Sequence, residues 1–347
     1  MQRLESPDDV PRPSALATVL GPVRAVERSP LATPGYTGAR FERLEVTLAS
    51  GERRRLVSKR FRPAEDWTAV RSGDRQGREP AMLSETRLAG VWEAFACPYL
   101  AFARAGGEVV LLMEDLTPHL LPDVREPLCE DDEERLLGAL AGLHARFWDS
   151  PVLDLPWLAR AEQHAGLFDA RCAADVACSA VFPDGIRESG RRGWAIALQR
   201  IPATLEDLIR CPASELTWLW RDLPRTLVHG DSKVANFALM PGGRVAAFDW
   251  ELVGTGPSTL DLGWYVAVNA SRLTGSKERT LERYRAQLEA ARGAALPGEC
   301  WVALVRAGVV LGARMLLWSK ALALEAGRPG ADAEWAWWME RLEAARG

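Results

Sequence analysis

Leu227–Trp250, LVHGDSKVANFALMPGGRVAAFDW, holds two short apolar runs, Phe237–Met240 and Val245–Phe248, joined by Pro241-Gly242-Gly243. A Pro/Gly turn between short apolar runs is a hairpin signal. Antiparallel pairing about that turn sets residues near 236 and 248 opposite each other. Asn236 and Asp249 then emerge side by side at the open end, and His229, Gly230 and Asp231 lie on the loop that feeds it. One small element thus gathers two carboxylates and a carboxamide. Such a hard-oxygen set suits magnesium, which keeps several waters and shares phosphate oxygens.

Composition narrows what that set can serve. At 347 residues, 48% hydrophobic and 26% charged, the chain is an ordinary globular protein long enough for two lobes. A net charge of −4 supplies no general attraction to nucleic acid or to an anionic membrane surface. The start, MQRLESPDDVPRPS, is polar and Pro-rich, unlike a signal peptide, and residues 1–20 read as a loose leader. Arg306, Arg314 and Lys320 interrupt the apolar stretch Trp301–Leu324, which reads as a buried helix and not a membrane span. Cys97, Cys129, Cys172, Cys178, Cys211 and Cys300 lack CxxC spacing, so reduced thiols in a cytoplasmic protein are expected. Lysine occurs only at 59, 233, 277 and 320 and asparagine only at 236 and 269, which draws attention to those lying in motifs.

Asp231 precedes Asn236 by five residues, and Asp249 follows at a strand end. The order is that of the kinase pattern H-R-D-x-x-x-x-N followed by D-F-G. Here it is written His229-Gly230-Asp231 and Phe248-Asp249-Trp250. With Gly for Arg and Trp for Gly, the chain resembles the aminoglycoside phosphotransferase and choline kinase branch of the protein-kinase-like superfamily more than the protein kinases. The resemblance covers residues 23–265. It implies an α+β bilobal fold: a small antiparallel β-sheet N-lobe with one main helix over residues 1–112, a hinge over 113–118, and a larger, mostly helical C-lobe over 119–347. It also implies an ATP- and Mg-dependent phosphotransferase acting on a hydroxyl of an antibiotic, amino-alcohol or sugar-like acceptor. Asp231 would be the base, Asn236 and Asp249 the magnesium ligands, and Lys233 the cation on the γ-phosphate.

Outward from the hairpin, Phe41–Ser50 alternates, with Leu44, Val46 and Leu48 on one face, as a half-buried strand does. Ahead of it, Gly35 and Gly38 either let backbone N–H groups approach phosphates or form a plain hairpin loop. Lys59 shares a strand face with Val57 and Phe61. A buried ammonium needs a partner; the bland alternative is a snorkelling lysine. In the kinase reading Lys59 holds the α and β phosphates and pairs with a helix carboxylate. The helical pattern Glu79–Phe95 offers Glu79 and Glu85, and Glu79 is preferred as the first-turn acid. Glu108–Met113 is a short strand broken by Glu114–Pro118; the resemblance makes that segment the lobe hinge, whose backbone meets the adenine edge with Leu116 as the central contact.

Further on, Leu136, Leu140, Leu143 and Phe147 form the buried stripe of a helix over 133–148. His144 beside them reads as a core histidine. Asp261 reads as a helix N-cap and loop tie. Trp335, Trp338, Met339 and Leu342 fall at helical spacing and read as core, the alternative being that some tryptophans line an acceptor pocket. Asp261 follows Asp249 by only twelve positions, and no A-P-E follows, so a protein substrate is not expected. Two other classes compete: a non-catalytic nucleotide-binding regulator of the same fold, and a metal-dependent phosphoesterase using His229 and Asp231 as ligands.

Overall fold

The computed structural model describes residues 1–32, 38–122 and 125–346. Among the described residues, six strands form the N-terminal sheet: β1 (Gln2–Leu4), β2 (Val23–Leu31), β3 (Arg40–Leu48), β4 (Arg53–Phe61), β5 (Tyr99–Ala105) and β6 (Glu108–Glu114), in the spatial order β1-β5-β6-β4-β3-β2. All neighbours pair antiparallel except β1 with β5, which is parallel, so the sheet is mixed where a wholly antiparallel one was expected.

That parallel edge belongs to the segment expected to be a loose leader. Residues 1–20 are instead structured: β1 extends the sheet, and the helix Pro13–Leu20 lies against it. The cause is the alternation of β3. Its apolar face, Leu44, Val46 and Leu48, needs a cover, and Leu4, Val10 and Leu16 provide it. Leu16 is completely buried, a burial of about 1.5–3 kcal/mol for a leucine side chain.

The opposite face of the sheet, with Val57, Phe61, Leu111 and Met113, joins a core that continues into the C-terminal helices through Leu260, Tyr265, Leu304 and Trp338. The single helical run expected over 79–95 is broken. Arg78–Ser84 is a helix, Glu85 turns extended at φ −85° and ψ 104°, and a short helix resumes at Val91–Ala94. Glu79 keeps its place in the first turn of the first piece.

Beyond the sheet, the described residues form five short strands: β7 (Ala159–Arg160), β8 (Thr226–Val228), β9 (Phe237–Leu239), β10 (Val245–Ala247) and β11 (Gly254–Gly256). β9 and β10 form the antiparallel hairpin expected from Pro241-Gly242-Gly243, and β7, β11 and β8 make a small sheet beside it. The rest is mostly helical. The helix Glu130–Arg146 buries Leu136, Leu140 and Leu143 as its stripe predicts.

The 28-residue helix Gly298–Glu325 is long and apolar enough to cross a membrane, but 67% of its most apolar window is buried inside the protein. Its Arg314 is fully buried, donating to Asp169 at 2.8 Å and to the Leu208, Ile209 and Cys211 carbonyls at 3.0, 2.8 and 3.0 Å. This is a core helix. The helix Thr259–Val268 crosses it closely: a Cβ on Gly263 would lie 1.9 Å from the Gly308 carbonyl oxygen, and one on Gly312 would lie 2.5 Å from that of Gly263. Side chains at these positions would force the helices apart.

The cysteines depart from expectation. Cys172 and Cys178 are disulfide-bonded with Cα atoms 5.2 Å apart; Cys97, Cys129, Cys211 and Cys300 are free. Asp169 and Asp175 cap two consecutive short helices, Ala170–Ala174 and Val176–Ser179, and the turn between them folds the two thiols together. A spacing of six residues carries no such signal in sequence.

Candidate active site

The hairpin register places its open end. Phe237 pairs with Ala247, and the Phe248 N–H donates to the Asn236 carbonyl at 3.2 Å, so Asn236 and Asp249 leave the ladder together. Asp249 takes a left-handed conformation (φ 66°, ψ 53°), which aspartate tolerates better than most residues. Its N–H donates to the Tyr99 hydroxyl at 3.2 Å. On the feeding loop Gly230 has φ 84°, and a Cβ there would stand 2.3 Å from the Leu252 carbonyl oxygen. Only glycine fits, which gives His229-Gly230-Asp231 a steric reason for lacking the kinase arginine. Fully buried His229 accepts the Asp231 N–H on Nδ1 at 3.2 Å and donates from Nε2 to the Phe248 carbonyl at 3.0 Å. Both ring nitrogens are committed to joining loop and hairpin, so His229 offers no lone pair to a metal.

Lys59 reaches this end of the hairpin from β4. Its ammonium, 3% exposed, donates to Glu79 at 3.0 Å, Asp249 at 2.6 Å and Glu251 at 2.7 Å. Burial alone would depress its pKa, but the charges of Asp249, Glu251 and Glu79 outweigh it and hold it well above the ordinary value. Burial would likewise raise Asp249, yet Lys59 and Lys233 push it far below the usual carboxylate range. Glu251 goes the other way: burial, with Asp249, Asp66 and Glu79 nearby, lifts it well above ordinary despite Lys59. Glu79 also accepts from the Tyr99 hydroxyl and from the Trp250 N–H at 3.2 Å. Glu85, the other helix acid weighed from sequence, pairs with Arg87 at the surface.

Asp231 sits beside this cluster. Its Oδ2 accepts from Asn236 Nδ2 and Lys233 Nζ, both at 2.9 Å, and its Oδ1 accepts from Trp264 Nε1 at 2.8 Å. Lys233, whose burial would lower its pKa, is raised by Asp231, Asp249 and Glu251. From behind, Asp261 holds the loop backbone, accepting the His229 and Gly230 N–H groups at 2.7 Å each and pairing with His144 at 3.0 Å. It is therefore a loop tie but not the helix N-cap, a position taken by Ser258. His144 is buried against Asp261 and Tyr284. Asn269 completes the clamp, accepting the Val234 N–H at 2.9 Å and donating to the Ser232 carbonyl at 3.2 Å.

Lys59, Glu79, Asp231, Lys233, Asn236 and Asp249 thus converge. Leu116 stands apart, buried with Ala238 and Ala246 and flanked by Met240 and Phe248. Its carbonyl accepts from His119 and Leu120, and nothing among the described residues engages its N–H. Gly38 is exposed with open space around it, and Gly35 lies outside the described residues. Sequence reasoning missed Glu251, Tyr99, Trp264 and Asn269. The first could have been found as an acid two residues beyond Asp249; the others carry no local mark.

The donor set fits a hard divalent cation. Glu79, Asp249 and Glu251 each bring a carboxylate oxygen within 4.8 Å of the others, but all three are already paired with Lys59, so a cation would draw on Asp249 at the edge of the cluster. Asn236 spends only its amide nitrogen on Asp231, leaving Oδ1 to a ligand. Two surface depressions of about 390 and 420 Å³, one around Pro63, Val70 and Arg75 and the other around Glu93 and Arg146, lie away from these residues.

Residues 37–300 match the phosphotransferase enzyme family. Among solved structures, a choline kinase from Cryptosporidium parvum Iowa II is 10% identical over 92% of this chain and 89% of its own, with a TM-score of 0.52. An aminoglycoside-3'-phosphotransferase of type VIII is 19% identical over 86% and 98%, at 0.46. A choline kinase from Streptococcus pneumoniae is 13% identical over 95% and 97%, at 0.49. The first of these supports the bilobal α+β kinase-like fold. No curated protein sequence matches the chain.

Proposed function

Because this chain belongs to the phosphotransferase enzyme family, we propose that it moves the γ-phosphate of ATP, with magnesium, onto a hydroxyl of a small molecule. The observation that carries the reading is the meeting of Lys59, Asp231, Asn236 and Asp249, from segments up to 190 residues apart, around one charged cluster. Phosphoryl transfer asks a protein mainly for positioning and charge neutralisation.

In this reading Asp231 accepts the proton of the attacking hydroxyl. Its Oδ2 is saturated by Asn236 and Lys233, which leaves Oδ1 to face the acceptor. Asn236 Oδ1 and Asp249 would hold magnesium, which when bound neutralises phosphate charge. Lys59, steadied by Glu79, takes the α and β phosphates, and Lys233 takes the γ-phosphate. Residues 113–118 serve as the hinge between an N-lobe of residues 1–112 and a C-lobe of residues 119–347. There the free Leu116 N–H meets the adenine edge. Gly38 approaches the phosphates from the N-lobe. The acceptor is an antibiotic, amino-alcohol or sugar-like alcohol bound on the C-lobe side.

Replacing Asp231 by Asn tests the assignment through ADP formation over a panel of hydroxyl acceptors. Turnover should fall by about 10²–10⁴-fold, the usual worth of a positioned base, while Mg·ATP affinity stays within about threefold of wild type. Unchanged turnover rejects Asp231 as base. Tight ATP binding with no phosphorylated product from the wild-type protein would favour the regulator instead.

A further inference from the structure

We propose that Trp264 is a positioning residue that aims Asp231 Oδ1 at the acceptor hydroxyl, an inference that rests on the phosphotransferase reading above. Its indole Nε1–H donates to Oδ1 at 2.8 Å. Asn236 and Lys233 restrain the carboxylate from its Oδ2 side only, and a torsion about the Cβ–Cγ bond gripped from one side keeps some libration of both oxygens. The indole removes that freedom. One lone pair of Oδ1 is taken by Trp264, and the second is left along a fixed direction.

The placement follows from helix geometry. Trp264 and Asp261 lie three residues apart on Thr259–Val268, and residues at i and i+3 share a helix face. Asp261 fixes the backbone of His229 and Gly230, and Trp264 fixes the side chain of the next residue, Asp231. One rigid face therefore sets both the loop and the carboxylate it carries. The helix is itself seated by the close crossing of Gly263 with Gly308 and Gly312. The indole is held by packing beside Leu167, Leu252 and Met315, with Trp67 in the same cluster. None of these neighbours takes part in the chemistry, and the ring is seated by the cluster as a whole and not by any one of them.

The test uses the full chain and two variants. Trp264→Phe keeps an aromatic ring in the cluster and removes the N–H; Met315→Ala loosens the same cluster and keeps the N–H. ADP formation from Mg·ATP is followed with choline, ethanolamine, kanamycin and water as probe acceptors, alongside Mg·ATP affinity and thermal melting. Loss of one hydrogen bond to a charged group corresponds to a fall in kcat of about ten- to a hundredfold in Trp264→Phe, with Mg·ATP affinity within about twofold. Met315→Ala should melt earlier and keep kcat within about threefold. In an indole ¹⁵N–¹H spectrum, Asp231→Asn should move the Trp264 resonance, assigned from its absence in Trp264→Phe, more than any other indole.

The proposal is overturned if Trp264→Phe keeps kcat within twofold of wild type. Equal losses of kcat in the two variants overturn it too, since packing alone would then explain the effect, and so does an indole resonance indifferent to Asp231→Asn. Failure of the underlying reading looks different: the wild-type protein forms no ADP with any probe, whatever the indole resonance does.

Discussion

Lys59→Met isolates the charge balance on which the cluster is built. The ammonium is 3% exposed and bridges Glu79, Asp249 and Glu251 at 3.0, 2.6 and 2.7 Å. Methionine fills a similar volume but leaves three carboxyls without their common cation. Glu251 bears less of the loss, because burial and its acidic neighbours already favour its neutral form. Asp249 is partly relieved by Lys233 and by solvent, its side chain being 28% exposed. The cost falls on fully buried Glu79, which keeps only the Tyr99 hydroxyl and the Trp250 N–H. Removing one partner of a buried ion pair costs about 3–5 kcal/mol. Urea unfolding at pH 7 in the presence of EDTA, read by tryptophan fluorescence, should show that loss. Adding Glu79→Gln to the same chain removes the stranded charge and should recover about 1–3 kcal/mol through the coupling of the two sites. A loss below about 1 kcal/mol, the range of exposed pairs, would refute the reasoning, as would a double variant no more stable than the single one.

Two further outcomes follow from groups packed behind the loop. His164 is fully buried, neither ring nitrogen has a hydrogen-bond partner among the described residues, and burial lowers its pKa from 6.5 to about 4. Between those values the unfolded chain binds more protons than the folded one, so stability rises with pH across this window and is lost as pH falls through it. Wild type should lose about 2 kcal/mol more than His164→Gln between pH 7 and pH 5; parallel profiles would count against this. Gly230→Ala places a Cβ 2.3 Å from the Leu252 carbonyl oxygen at φ 84°. The left-handed strain costs about 1–2 kcal/mol, and displacing Asp231 by as much as an ångström should lower turnover roughly a hundredfold. Turnover within threefold of wild type would show that the loop accommodates the methyl.

What the sequence disclosed was whatever depended on neighbours along the chain. Pro241-Gly242-Gly243 forms its turn locally, so the hairpin and the juxtaposition of Asn236 with Asp249 could be read directly. Lys59 stood out because an ammonium on the face of Val57 and Phe61 needs a partner, and Glu79 because a first-turn acid was within reach. The order of the N-terminal segment was hidden because what it covers, the Leu44–Val46–Leu48 face, lies some way along the chain and shows only that it needs a cover. The break at Glu85 was hidden because it is a change of backbone conformation within a sequence that keeps a helical pattern.

The least readable part is the support of the site, and the reason is physical. On the helix Thr259–Val268, Asp261 could be read as a loop tie, but Trp264 and the glycine between them satisfy helical periodicity and an apolar environment, so the pattern asks nothing more of them. Yet Asp261 and Trp264 aim polar atoms at residues 229–231, about thirty positions upstream. Asn269, at the end of the same helix, grips the following residues of the loop. Motif residues are recognised because their chemistry has no structural excuse for being where it is. Supporting residues have such an excuse, and only the crossing of Gly263 with Gly308 and Gly312 in three dimensions shows that this helix is the floor on which Asp231 stands.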